Sequence, residues 1–300
     1  MSSHKHDHAH DQTTSNIKLA FLINLAFSVI ELVGGILTNS IAIMSDALHD
    51  FGDSVSLGLS WLFQKKAKKG ATAKFSYGFR RLSVISATVN SLVLAVGSTI
   101  ILTESVKRLF SPSDVDAHGM LILAIIGIAA NGFAFFRTKG GKNINQKTVS
   151  LHLLEDVMGW LAVLVASIVM IFFDLPILDP LLSIGISVFI IINIIKNIRR
   201  IVNITLEGTP DGLDISGVKK ALNGIKGVNS LHDLHIWSLD GEAHILTVHL
   251  VVPKCDTVNY QKIHTEARKV LKEFGIIHST IEIDQTDTKD PDEVCVLGEK

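Results

Sequence analysis

The chain has 300 residues, of which 47% are hydrophobic and 19% charged, with a net charge of -1 and a mean hydropathy of +0.38. Soluble proteins of this size are rarely so apolar, and the near-zero charge excludes the strongly basic balance of a nucleic-acid binder. Two cysteines, Cys255 and Cys295, stand far apart and in no Cys-x-x-Cys pattern, which excludes a disulfide framework and points to a reducing compartment.

The first segment, 1–16, carries His4, His6, His8 and His10 in the polar run HKHDHAH. It has no apolar periodicity and is expected to be disordered, collecting metal weakly and without selectivity. No basic stretch followed by a short apolar run and a small-residue cleavage site is present, so a cleavable signal peptide is not expected. Six apolar stretches follow, at 17–37, 41–63, 82–102, 120–136, 149–173 and 177–195. Each is long enough, as a helix, to cross a hydrocarbon core of roughly 30 Å. Basic residues crowd alternate connections: Lys65, Lys66, Lys68, Lys69, Lys74, Arg80 and Arg81 after the second stretch, Arg137, Lys139, Lys142 and Lys147 after the fourth, and Arg199 and Arg200 after the sixth. The opposite connections offer only Lys107 and Arg108. By the positive-inside rule both termini face the cytoplasm, which gives a six-helix membrane domain over 17–204.

Beyond Thr205 the texture becomes that of a small soluble domain, 205–286, with a flexible tail at 287–300. The pattern predicts a short amphipathic helix at 215–222, strands at 230–238 and 241–253 joined by a turn at LDGE, a helix at 258–274 and a last strand at 279–284. The order αββαβ suits a compact two-layer α+β unit.

The chemistry is concentrated where it is least expected. The second apolar stretch contains SDALHDFGDS, with Asp46, His49, Asp50 and Asp53. A charged side chain at the bilayer centre costs roughly 2.5–3.5 kcal/mol on insertion scales, so several together need a partner or a job. Residues four apart share one face of a helix. His49 and Asp53 are so spaced, and so are His152 and Asp156 in HLLED of the fifth stretch. Two such helices can bring two imidazoles and two carboxylates to one point, an N2O2 set suited to tetrahedral zinc, and the two carboxylates balance a divalent charge. A single pair of this kind would read as well as an interhelical hydrogen bond, but its repetition favours a metal. Asp46 is expected beside the ligands or at their entrance, or as a helix cap. Asp50 points elsewhere and is assigned nothing. Asn24, Glu31, Asn90 and Asn131, alone in their stretches, read as packing residues.

In the soluble domain LHDLHIWSL supplies His232 and His235, the next strand His244 and His249, the helix His264, and the last strand Glu282 and Asp284. Alternation puts Glu282 and Asp284 on one side of a strand, where they can form one side of a metal site with His232 and His249. Any one of these residues alone would read as a solvated surface group.

NSIAIMSDALHDFGD, YGFRR, HLLED and LHDLHIWSL together resemble the cation diffusion facilitator family in its zinc-transporting branch, over about 18–284. The resemblance implies an α-helical membrane protein with six transmembrane helices and a small cytoplasmic α+β domain of ferredoxin- and metallochaperone-like kind. It implies export of divalent metal, zinc first and cadmium or cobalt as further candidates, from the cytoplasm across the cell membrane in exchange for protons, by a homodimer. Carried over residue by residue, His49, Asp53, His152 and Asp156 form the transport site, and His232, His249, His264 and Asp284 serve the cytoplasmic sites, with Glu282 where some relatives have histidine. Ser83 stands where an acidic residue is common after YGFRR, and the His-rich loop of many relatives is replaced by the basic connection 137–147.

Two other classes compete. An intramembrane metal hydrolase would need an open coordination position for water, which four protein ligands do not leave, and no His-Glu-x-x-His is present. A membrane-bound metal sensor signalling through its cytoplasmic domain would not need a buried quartet, and would not move zinc across a bilayer.

Overall fold

The computed structural model describes the backbone over 4–67, 71–138, 144–253 and 260–285, and the side chains over the same residues except 4–20, 60, 64, 65, 67, 138 and 144–149. Six long helices come first: α1 His4–Thr38, α2 Ile41–Ala67, α3 Leu82–Phe110, α4 Ala117–Thr138, α5 Ile144–Phe173 and α6 Leu178–Thr205. The chain forms two compact units, one of Met1–Ala73 with Ile85–Ile198, the other of Lys74–Val84 with Arg199–Lys300.

In the helical unit, α1 lies along α2 and α4 along α5. Five helices hold segments long and apolar enough to cross a membrane: Phe21–Thr38, Leu82–Phe110, Ala117–Arg137, Ser150–Phe173 and Leu178–Thr205. The expectation of six apolar spans is therefore met by five among the described residues. Helix α2, with 27 residues, is about 40 Å long, but Asp46, His49, Asp50 and Asp53 interrupt its apolar run. Large side chains such as Leu37, Leu92, Ile100, Phe133 and Phe172 point outward, the exposure pattern of helices solvated by hydrocarbon.

The ends of these helices are built from local chemistry. Asn39 takes a left-handed φ of 56° between α1 and α2, a conformation its short polar side chain tolerates. The Ser40 hydroxyl accepts from the Ile43 N–H at 3.2 Å, capping α2. Asp116 does the same for α4 by accepting from the Gly119 N–H at 3.0 Å. The rotation of α5 is set by Trp160, 2% exposed, whose ring lies flat against Gly127 of α4, where any Cβ would collide with it. Ile43 of α2, Met120, Ala124, Val163 and Met170 complete that core.

The second unit has the order read from the sequence: α7 Ile215–Asn223, β1 Ser230–Ser238, β2 His244–Val252, α8 Tyr260–Glu273 and β3 Ile276–Gln285. The sheet order is β1-β2-β3, with β1 antiparallel and β3 parallel to β2. Leu246, Val248, Leu250 and Val252 face α7 and α8, meeting Val218, Leu222, Ile263, Ala267 and Leu271. Strand alternation then puts Thr247, His249 and Val251 on the opposite face, away from α7 and α8. The YGFRR segment belongs to this unit. Arg80 pairs with Asp240 at 3.4 Å, Arg81 with Glu207 at 2.9 Å, and the Ser83 hydroxyl donates to the Arg80 carbonyl at 2.9 Å.

The N-terminal tract, expected without regular structure, is helical from His4 onward as part of α1. Residues 4–16 contain neither glycine nor proline, so nothing in them stops a helix propagating from the apolar segment. The side chains of His4, His6, His8 and His10, both cysteines, the connection after Thr138 and the tail 287–300 lie outside the described residues.

Candidate metal centres

Of the membrane quartet, His49, Asp53 and His152 offer ligand atoms that all lie within 4.8 Å of one another. Asp53 Oδ2 of α2 is 3.2 Å from His152 Nε2 of α5 and 4.0 Å from His49 Nε2. His152 turns its other nitrogen, Nδ1, to Asp156 Oδ1 at 3.8 Å, so one imidazole stands between the two carboxylates. The two histidine rings are edge to face with centroids 6.2 Å apart, and His49 Nδ1 is buried with no hydrogen-bond partner among the described residues. A tetrahedron with bonds of about 2.0 Å has edges of about 3.3 Å, which Asp53 Oδ2 and His152 Nε2 match and the reach to His49 exceeds, while Asp156 stands on the Nδ1 side of His152, outside this group of three. With neutral imidazoles the set carries two negative charges. A divalent cation bound there would balance them.

Asp46 lines a cavity of about 620 Å³ together with His49, Asp156, Met158 and Phe189, and its carboxylate faces Gly159 of α5. It sits in the second turn of α2, so of the two sequence readings the cap is excluded; Ser40 holds that place. Asp50, assigned nothing from the sequence, is buried against α1, where it meets the equally buried Glu31. Asn24 acts as expected of a packing residue, donating to the Asp50 carbonyl at 2.9 Å and to Ser54 Oγ at 3.0 Å. In the other two asparagines one polar atom, Asn90 Oδ1 and Asn131 Nδ2, is buried without a hydrogen-bond partner among the described residues.

The second cluster lies on the face of the sheet away from α7 and α8 and comprises His232, His249 and Asp284. Asp284 Oδ2 is 3.0 Å from His232 Nε2 and 3.1 Å from His249 Nδ1, and the two rings are 5.0 Å apart. Register explains the meeting, because His232 pairs with His249 across β1 and β2, and Glu282 lies beside His249 across β2 and β3. Glu282 Oε2 reaches His249 Nε2 at 3.5 Å. His264 departs from the expectation: α8 packs through Ile263, Ala267 and Leu271 on the other face of the sheet, so within one chain it is kept from the cluster. Asp233 was missed. A bulge between His232 and His235 and a φ of 50° at Asp233 turn its carboxylate to His249 Nε2 at 3.5 Å and His235 Nε2 at 2.7 Å. Strict alternation would have put it on the other face; LHDLH holds no glycine or proline to announce the bulge.

Comparison with known proteins adds an independent line. Residues 17–204 match the family model described as the cation efflux transmembrane domain, and 210–286 match that of the cation efflux protein cytoplasmic domain. The chain is 31% identical over 286 residues to the cadmium, cobalt and zinc/H(+)-K(+) antiporter of Bacillus subtilis, covering 93% of this chain and 91% of that protein. It is 32% identical over 288 residues to the zinc transporter ZitB of Yersinia pseudotuberculosis, covering 94% and 91%. With the metal cation efflux system protein CzcD of Cupriavidus metallidurans the identity is 30% over 285 residues, covering 94% and 90%.

Proposed function

The chain belongs to the cation efflux family, and from that premise we propose that it exports divalent metal from the cytoplasm in exchange for protons. Zinc is the main cargo, with cadmium and cobalt as further ones. The transport site is His49, Asp53, His152 and Asp156. The observation that carries the reading is the approach of His49, Asp53 and His152 from α2 and α5 to within 4.8 Å of one another, with Asp53 and His152 3.2 Å apart; Asp156 is added by its i, i+4 spacing from His152. The names of the relatives, each a metal transporter or efflux protein, agree with it.

The chemistry of the exchange follows from the donor set. Imidazoles ligate metal only when neutral, so protons and zinc compete for the same lone pairs. Open to the cytoplasm, the quartet exchanges protons for zinc. Open to a more acidic exterior, it takes protons in return, and these keep the emptied carboxylates from recrossing as two bare charges. Asp46 stands at the cavity that leads to the ligands. The cluster of His232, His249 and Asp284, helped by Glu282 and Asp233, binds zinc on the cytoplasmic side and regulates transport. The protein works as a homodimer in the cell membrane with both termini in the cytoplasm, as the family resemblance and the basic connections imply.

Zinc uptake by reconstituted vesicles tests this. Inside-acidic vesicles should accumulate zinc, lose most of the uptake when the gradient is collapsed, and reverse its direction when the gradient is inverted under equal zinc. The His49→Ala protein should be inactive in all three conditions. Uptake indifferent to the gradient would refute proton exchange, and a fully active His49→Ala protein would refute the site.

A further inference from the structure

We propose that Asp179 is a positioning residue for transport, setting the height and rotation of α2 and thereby the geometry of His49 and Asp53; this rests on the transport site assigned above. Asp179 lies in the first turn of α6, 0% exposed, and its carboxylate reaches across to the start of α2. Oδ1 accepts from the Ser40 hydroxyl at 2.5 Å and the Ala42 N–H at 3.2 Å. Oδ2 accepts from the Ile41 N–H at 2.9 Å. The other two amides of this first turn are met by Ser40, through its hydroxyl to Ile43 and its carbonyl to Met44.

The first four N–H groups of a helix are ordinarily satisfied by a local cap or by water. Here Ser40, Ile41 and Ala42 are fully buried, which excludes water, and half of the task falls to a carboxylate 139 residues further along the chain. A negative charge at this end also complements the helix dipole. The same turn is gripped from α3, where Arg108 donates to the Asn39 carbonyl at 2.7 Å and to Asn39 Oδ1 at 2.9 Å.

Anchoring here acts on the site because α2 approaches α5 at few positions, and Ile43, which packs with Trp160, Val163 and Met170 of α5 in one core, belongs to the same anchored turn. At 1.5 Å per residue, His49 and Asp53 lie about 10 and 16 Å along the helix from Ala42. A slip of one residue would turn both ligands by about 100° and move them by about 1.5 Å, enough to undo the approach of Asp53 to His152. The opposing ligands have their own fixture in Trp160 against Gly127. Beyond the ligands, α2 is tied again where Asn24 meets Asp50 and Ser54. Among divalent metals selectivity comes from imposed geometry more than from raw affinity, so a looser α2 should discriminate less between zinc and the larger cadmium ion.

The test compares zinc and cadmium uptake by vesicles holding the full-length protein with those holding its Asp179→Ala, Asp179→Asn, Ser40→Ala and Asp53→Ala forms. Groups that support metal ligands typically contribute 10–100-fold. Asp179→Ala should lower zinc flux by about tenfold or more and raise the cadmium-to-zinc flux ratio. Asp179→Asn keeps one acceptor oxygen but turns an amide toward the Ile41 N–H, and should fall between. Ser40→Ala should shift the ratio in the same direction by less. Should Asp179→Ala fail to assemble, the two milder variants decide. An unchanged cadmium-to-zinc ratio in the folded variants overturns the proposal, whether or not total flux falls, because a merely structural role would alter only the number of active molecules. Normal flux in Asp53→Ala would instead refute the transport site, and is read separately.

Discussion

In the helical unit Asp53 meets His152 across two helices that each present their ligands one turn apart, while in the second unit His232, His249 and Asp284 come from three neighbouring strands. The donors are alike, imidazole and carboxylate, but their settings differ. The membrane cluster is partly exposed, at 24% for His49, 29% for Asp53 and 36% for His152, but it belongs to helices with apolar surroundings, where charge is costly. The sheet cluster lies on a face open to solvent, where His232 is close to half exposed and water can screen its charges. In the proposed function the helical cluster must hold and then surrender its ion, which needs a charge balance that changes with occupancy. A site on an open sheet face can bind metal without paying such a penalty when empty, which suits a regulatory role.

That contrast predicts a steep order of effects. Asp53→Ala or Asp156→Ala should reduce zinc flux by about 100-fold or more, beyond the usual loss for a mere supporting group, while the protein elutes as the wild type does. Flux near normal in either variant would erase the distinction between the two regions. Asp284→Ala should leave most of the flux, within a few-fold, yet abolish the response of the sheet to zinc. Hydrogen exchange on the intact protein reads that response: at zinc 100 times above the dissociation constant, linkage gives about 2.7 kcal/mol, or about 100-fold slower exchange, in β1 and β3, and none in the variant.

Asp233→Ala sharpens the comparison further. Its carboxylate touches His249 and His235 from the bulge, so its loss should weaken zinc protection of the same strands by about tenfold without changing flux. A smaller effect still is expected from magnesium. It prefers six oxygen ligands in octahedral geometry, so a hundredfold excess should change zinc uptake by less than about twofold; strong competition would argue for an oxygen-rich site in place of the imidazoles.

How far the sequence discloses this molecule depends on whether a feature is periodic. The i, i+4 spacing in α2 and α5 placed four ligands on two helix faces, and the αββαβ order followed from alternation and turns. The face of the sheet carrying Glu282 and Asp284 was legible for the same reason. What broke a period was hidden: the bulge that aims Asp233, and the left-handed Asn39 that starts α2. Contacts between distant segments were hidden as well. Nothing local tells that Asp179 caps a helix starting at Ile41, that Asp50 meets Glu31, or that α8 holds His264 on the wrong side of the sheet. The apolar runs on either side of Asp46, His49, Asp50 and Asp53 made α2 legible as a long helix although those residues interrupt it.

The central claim is that two imidazoles and two carboxylates from α2 and α5 hold the transported ion, and X-ray absorption at the zinc edge tests it most directly. The protein should first be freed of residues 1–16 and of the sheet cluster, by His232→Ala, His249→Ala and Asp284→Ala together, so that neither adds zinc to the signal. The account predicts four light donors at about 2.0–2.1 Å with the multiple-scattering signature of two imidazoles, falling to one imidazole in His152→Ala. A zinc shell made wholly of oxygen, or a spectrum unchanged by the loss of His152, would contradict it.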